Sequence, residues 1–210
     1  MREENYKYPL DKAVPAMMVG EVAVKYEASQ TFTGEVIESW FKDGYKWELI
    51  DGVPYLMATP RPRHQEIKDG LTALFRTHLK GKRCRAFSEM GIYLDVDKNE
   101  TYLIPDLLIL CDKNKMGPKG VNGSPDMIIE ILSPSNHKHD RVTKRHKYEQ
   151  AGVKEYWLLD PENSLLEVVL LGEGGMYHST IYTDDAVVKI NVLDDLEINL
   201  AELFADSWVD

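Results

Sequence analysis

A chain of 210 residues, 43% hydrophobic and 29% charged, is long enough to bury one sizeable core and has the composition of a globular protein. Its formal net charge of −10 argues against a protein that coats nucleic acid without regard to sequence. No stretch reaches the length of a membrane span and no secretory signal opens the chain. The two cysteines, Cys84 and Cys111, lie far apart in no metal-ligand spacing. They point to a reduced, cytoplasmic setting, with both thiols acting as small buried apolar groups at strand ends.

Residues 1–30 carry weak periodicity and read as an N-terminal extension; 31–210 read as one domain. Within 33–43, Val36, Ile37, Trp40 and Phe41 fall at helical spacing. In 47–57 two apolar runs flank Asp51-Gly52, a tight-turn pair, which predicts a β-hairpin. After a loop at 60–63, His64 opens a helix to about 79, with Ile67, Leu71, Leu74, Phe75 and Leu79 on one face. Segments 84–87 and 91–96 form one bent strand or two short ones, and 102–111 a further strand. A loop rich in Gly, Pro, Lys and Asn leads to a strand at 127–132. A helix over 140–151 stops at Gly152. A strand at 153–160, a hairpin of 165–171 with 176–182, and short elements over 187–204 complete the chain. The order predicts an α/β (α+β) core, a mixed sheet with helices and added β-hairpins.

Charge is unevenly spread. Segment 137–147, HKHDRVTKRHK, holds five basic residues (Lys138, Arg141, Lys144, Arg145, Lys147) against Asp140. Lys138, Arg141, Arg145 and Lys147, with the loop lysines 113, 115 and 119, are the candidate contacts to a phosphate backbone.

Two acids stand inside apolar strands: Glu130 in MIIEIL and Asp106 in LIPDLLIL. A carboxylate there is costly unless a cation, a basic side chain or strong hydrogen bonds compensate it. Side-chain alternation puts Glu130 on a face with Ile128 and Leu132, and Asp106 with Leu108 and Leu110. If the strands are neighbours, the two acids converge. Two carboxylates without cysteine or clustered histidine suit Mg2+ or Mn2+ better than zinc. Lys144, with Arg141 and Tyr148 on its helical face, is the candidate to stabilise developing charge beside such an ion. Against this stand plainer readings: Asp106 capping local backbone after Pro105, Glu130 paired with a core-facing Arg141 or Arg145, and Lys144 as a solvated helix residue.

The segments 47–52 (WELIDG), His64, 104–110 (IPDLLIL), 129–135 (IEILSPS), Lys144 to Tyr148 and 151–161 (AGVKEYWLLDP) together resemble the Uma2 family of restriction endonuclease-like proteins, a branch of the PD-(D/E)XK nuclease superfamily. The resemblance spans roughly 32–171. It implies a restriction-endonuclease-like fold, a hydrolase cutting DNA, Asp106 and Glu130 as metal ligands, and a homodimer, since two subunits cut two strands. Superfamily members usually carry a lysine two residues after the second acid; here that position is Leu132. Lys144 on the following helix matches its displaced counterpart. Glu48 and His64 sit where the family places these residue types, and Glu89 is a further candidate on the preceding strand. Glu48 reads equally as an exposed strand residue, and His64 as a helix-start hydrogen-bonding group. The competing expectation is a nuclease fold without catalysis that binds nucleic acid or protein.

Overall fold

The structure is a computed structural model and describes residues 18–19, 22–23, 33–34, 46–134 and 137–205. The helix expected over 33–43, beyond its first two residues, and most of the N-terminal extension lie outside the described residues. Short strands β1 (Met18–Val19) and β2 (Val22–Ala23) pair with one another, and Met18 registers against Tyr55 of the following hairpin.

That hairpin is β3 (Trp47–Ile50) and β4 (Val53–Leu56). Asp51 and Gly52 both take positive φ, 51° and 74°, as the primed turn between twisted strands demands. Helix α1 (Pro62–His78) starts two residues earlier than expected because Pro62 suits the first turn, where no N–H is needed. Ile67, Leu71, Phe75 and Leu79 are buried along one stripe, whereas Leu74 falls outside it and is 41% exposed.

The strands after α1 divide between two sheets. Strand β5 (Arg85–Ser88) joins one and β6 (Ile92–Tyr93) the other, with Glu89 at φ 51° in the bend. The expected single strand over 102–111 is likewise two: β7 (Tyr102–Leu103) and β8 (Leu107–Leu110). Pro105 has no N–H to give a ladder, and the chain changes sheets there. A short 3-10 turn (Lys113–Lys115), β9 (Val121–Asn122) and β10 (Met127–Ile131) follow. A π-helical stretch (His139–Lys144) runs into α2 (Arg145–Ala151), capped by Gly152 at φ 78°. Then come β11 (Glu155–Asp160), β12 (Leu165–Leu171), β13 (Tyr177–Tyr182), β14 (Val187–Lys189), β15 (Glu197–Asn199) and α3 (Leu200–Phe204).

The mixed sheet ordered β13-β12-β11-β10-β8-β5 is the centre of the fold, with β10 and β11 parallel and its other pairs antiparallel. One face packs Leu107, Ile109, Ile129 and Ile131 against α1, β14, β15 and the start of α3. The other packs Leu108, Leu110, Ile128 and Leu132 against Ile50, Ile92, Leu103 and Val121 of a second sheet, ordered β2-β1-β4-β3-β7-β6-β9, and against Tyr148 of α2. Strand alternation therefore assigns these residues to faces as expected, in a stack of two sheets and a helical layer. No helix among the described residues is long and apolar enough to cross a membrane.

One expectation is overturned. Cys84 and Cys111 form a disulfide, with Cα atoms 4.0 Å apart, and both are half-buried rather than core thiols. Their separation of 27 residues hid the contact. Antiparallel β5 and β8 pair Arg85 with Leu110, so the residues just outside that pair face each other.

Candidate active site

The register of β8 and β10 decides the relation of the two acids. Ile129 opposes Leu107 and Ile128 opposes Leu108, so one step further Glu130 opposes Asp106, on the face turned to the second sheet. Each acid is held by the other's strand. The Asp106 N–H donates to Glu130 Oε2 at 3.3 Å, and the Ile131 N–H donates to Asp106 Oδ2 at 2.8 Å. Asp106 lies between the end of β7 and the start of β8, so its N–H is free of any ladder and turns to a side chain instead.

Helix α1 brings His64 to the same point, its Nε2 3.1 Å from Asp106 Oδ2. The other nitrogen, Nδ1, is buried without a partner. From the second sheet β3 contributes Glu48. It shares the inward face with Ile50 and is 3% exposed, not the exposed strand residue that was an alternative. Glu48 Oε1 accepts from the Ile104 N–H at 2.9 Å.

Lys144 stands between the sheets. Its Nζ lies 2.9 Å from Glu48 Oε1, 3.0 Å from Glu130 Oε1 and 3.2 Å from Asp140 Oδ1. It is buried, not a solvated helix residue. The Tyr148 hydroxyl donates to Glu130 Oε1 at 2.9 Å, and the Tyr156 hydroxyl to the Asp140 carbonyl at 3.1 Å. The π-helical stretch explains which groups point inward. A turn closed by i→i+5 hydrogen bonds takes more than four residues. It aligns Asp140 with Lys144 and swings Arg141 off that face. Arg141 donates instead to Glu167 at 2.8 Å, as does Arg145 at 2.6 Å. The pairing of Glu130 with Arg141 or Arg145 is thus replaced by pairing with Lys144.

Asp140 and His139 escaped the sequence reading. Asp140 is fully buried and neither carboxylate oxygen receives an aligned hydrogen bond, although Lys144 is within ion-pair range. His139 packs on Tyr55 with ring centroids 4.7 Å apart, and its Nε2, 3.9 Å from Glu48 Oε2, has no hydrogen-bond partner. The one signal for Asp140 was its place four residues before Lys144.

The electrostatics follow from three acids around one ammonium, with Asp106 beside Glu130. Burial pushes the Glu130 carboxyl well up, and Lys144 only partly opposes this. Burial likewise pushes Asp140 up to about 6. For Lys144 burial works against charge, but Glu130, Glu48 and Asp140 outweigh it and hold the ammonium above its usual range. Lys144 therefore stays charged while the acids around it share fewer negative charges than they have carboxyls. Burial and Lys144 push His139 down against the opposing pull of Glu48, and the net shift favours the neutral ring.

The remaining candidates lie apart. The Glu89 backbone N–H donates to the Asp106 carbonyl at 3.1 Å, but its carboxylate is taken by Lys46 and Lys68. Burial pushes that carboxyl up and the two lysines more than reverse it. Lys147 pairs with Asp51 at 2.6 Å, Lys115 donates to the Ser124 carbonyl at 2.7 Å, and Lys138 is exposed. Among the described residues no three carboxylate, imidazole or thiolate groups close on one point as a ready metal cage.

A mixed-sheet α+β fold, with facing acids on adjacent strands and a buried lysine from the next helix, defines the class. The Uma2 profile, described as "Putative restriction endonuclease", matches residues 34–201, and the chain belongs to that family. An uncharacterised protein of Synechocystis sp. is 26% identical over 153 residues, covering 73% of this chain and 76% of that protein. The crystal structure of "a putative nuclease belonging to DUF820" from Anabaena variabilis superposes with a TM-score of 0.64 at 21% identity. It covers 76% of this chain and 89% of that one, a likeness of fold.

Proposed function

We propose that this chain is a divalent-metal-dependent endonuclease that hydrolyses phosphodiester bonds in DNA, with Asp106 and Glu130 holding Mg2+ or Mn2+ and Lys144 assisting. The observation that carries the reading is the facing of Asp106 and Glu130 across β8 and β10, in a site with four acids and one ammonium. Hard oxygen donors and surplus negative charge fit a hard cation, and Mg2+ often takes one or two carboxylates and fills its remaining positions with water and substrate oxygens. When bound, such an ion supplies positive charge beside the phosphodiester and makes a neighbouring water more acidic.

The chain's own groups have separable tasks. The backbone N–H groups of Asp106 and Ile131 fix the two carboxylates. Tyr148 and Lys144 orient Glu130, and His64 orients Asp106. Lys144, buried and charged, acts on the negative charge that develops on the phosphoryl oxygens. The test is incubation of pure protein with supercoiled plasmid and Mg2+ or Mn2+, with an EDTA control. Asp106→Ala and Glu130→Ala each lower cleavage by about a hundredfold or more. Unchanged cleavage in both variants removes this site from the reaction.

A second reading, a nuclease fold that binds nucleic acid or protein without cutting, is favoured by one detail. The three N–H donors of Lys144 face three carboxylates, and Leu132 occupies the usual lysine position. Calorimetric titration with Mn2+ separates the two: tight binding that needs both acids supports hydrolysis, and absence of binding in folded protein supports the second reading.

A further inference from the structure

The densest run of positive charge is not the segment 137–147. Residues 76–85, RTHLKGKRCR, carry five formal positive charges and no carboxylate, in a chain of net charge −10. They form the last turn of α1, the bend at Gly81 and the start of β5, and Arg76, Lys80, Lys82, Arg83 and Arg85 are all exposed. A plainer account is that cations favour a helix C-terminus. That covers Arg76 and His78, within the last turn, and leaves the four beyond it unexplained.

Of the acids on this side, Asp126 accepts from the Cys111 N–H at 2.7 Å and pairs with Lys154, and Asp195 lies in the segment before β15. Asp195 accepts from His78 at 2.9 Å and pairs with Lys82. Among the described residues, none of Arg76, Lys80, Arg83 and Arg85 pairs with a carboxylate. Arg83 donates to the Cys111 carbonyl at 3.0 Å and Arg85 to the Cys84 carbonyl at 2.9 Å. A carbonyl fixes a guanidinium without neutralising it. The Cys84–Cys111 disulfide ties the same turn to the end of β8. The result is charge without a carboxylate partner, and Arg83 and Arg85, already held by carbonyls, lose little side-chain freedom when an anion is met.

We propose that this basic turn is a docking surface for the phosphate backbone of a nucleic acid, engaged beside the candidate active site. The inference rests on the nuclease reading for its substrate class. Strand β5 is the edge of the central sheet, and it connects the two places. Arg85 opposes Leu110 at one end, and the Glu89 N–H meets the Asp106 carbonyl at the other. Four residues of strand cover about 13 Å. Phosphates of one DNA strand recur about every 3.4 Å of axis, so a duplex with one phosphate at Asp106 lays phosphates roughly four nucleotides away beside the turn.

The test is binding of a fluorescent DNA duplex of about 30 base pairs, in EDTA, as a function of salt. The variant replaces Arg76, Lys80, Arg83 and Arg85 by Gln. A second variant replaces the three arginines by Lys, which keeps charge while losing the carbonyl contacts. The Gln variant binds roughly tenfold or more weakly at about 100 mM salt, and its log–log salt slope falls by about 3.6, about 0.9 for each of the four charges removed; the Lys variant stays near the parent. Parent-like affinity and slope in the Gln variant overturn the docking surface, and plasmid cleavage that still needs Asp106 then leaves the nuclease reading intact. Failure of the parent to bind duplex also overturns it, as does binding instead to phosphatidylcholine vesicles with about 30% phosphatidylserine. Charge-dependent duplex binding without cleavage in Mg2+ or Mn2+ supports the surface and removes the hydrolytic reading.

Discussion

Two basic segments of similar composition have opposite fates. In 137–147 most of the charge is met by the protein's own acids: Lys144 by three buried carboxylates, Arg141 and Arg145 by Glu167, and Lys147 by Asp51 at the surface, with Lys138 left exposed. In 76–85 Arg83 and Arg85 rest on backbone carbonyls, and among the described residues only Lys82 and His78 of this segment meet an acid. The difference teaches that local charge density says little about an interaction surface. What matters is whether the fold brings acids to the cations, and those acids come from strands distant in sequence.

Four measurements break or sharpen this contrast. The largest effect belongs to Lys144→Met, which leaves Glu48, Glu130 and Asp140 without their cation; it costs about 3–5 kcal/mol of stability in urea denaturation. A loss under about 1 kcal/mol would mean that the inward charge is solvated and the contrast false.

Next comes the pH dependence of Asp140→Asn. Burial raises the Asp140 carboxyl from 3.8 to about 6. The folded chain therefore holds a proton that the unfolded chain releases across that window. Relative to the Asn variant, the parent keeps its full stability below about pH 4 and loses about 3 kcal/mol as pH rises through 6. Denaturation curves of both proteins at pH 4, 5, 6 and 7 measure it; a constant difference across that range would place Asp140 in contact with water.

A smaller loss follows Arg145→Gln, which removes one of the two guanidiniums from the nearly buried Glu167. It lowers stability by about 1–2 kcal/mol. Smallest is Lys80→Gln in the outward segment, within about 0.5 kcal/mol of the parent. Equal losses at 145 and 80 would erase the distinction between the segments.

Much of the architecture was legible in residue patterns. Alternation in 103–110 and 127–132 named the residues that share a face with each acid, and Asp51-Gly52 marked the hairpin. The pairings that complete the site were not. Asp140 read as a helix-start residue because its burial depends on a widened helical turn, which no apolar period announces. Glu48 stood in a hairpin that could face either way until the second sheet covered it. Glu167 gave no local sign of accepting from two arginines more than twenty residues before it. The disulfide depended on a strand register set by residues between the two cysteines. For the cysteines the short-range reading, two free buried thiols, was wrong; in every case the missing information was which distant segment lies opposite.

Pro105 leaves one further mark on the molecule. Glu48 and Glu130 belong to different sheets, Asp106 sits where the chain crosses from one to the other, and a single ammonium joins the two glutamates. The gap between the layers is therefore gauged at this seam by ionic attraction as well as by apolar contact.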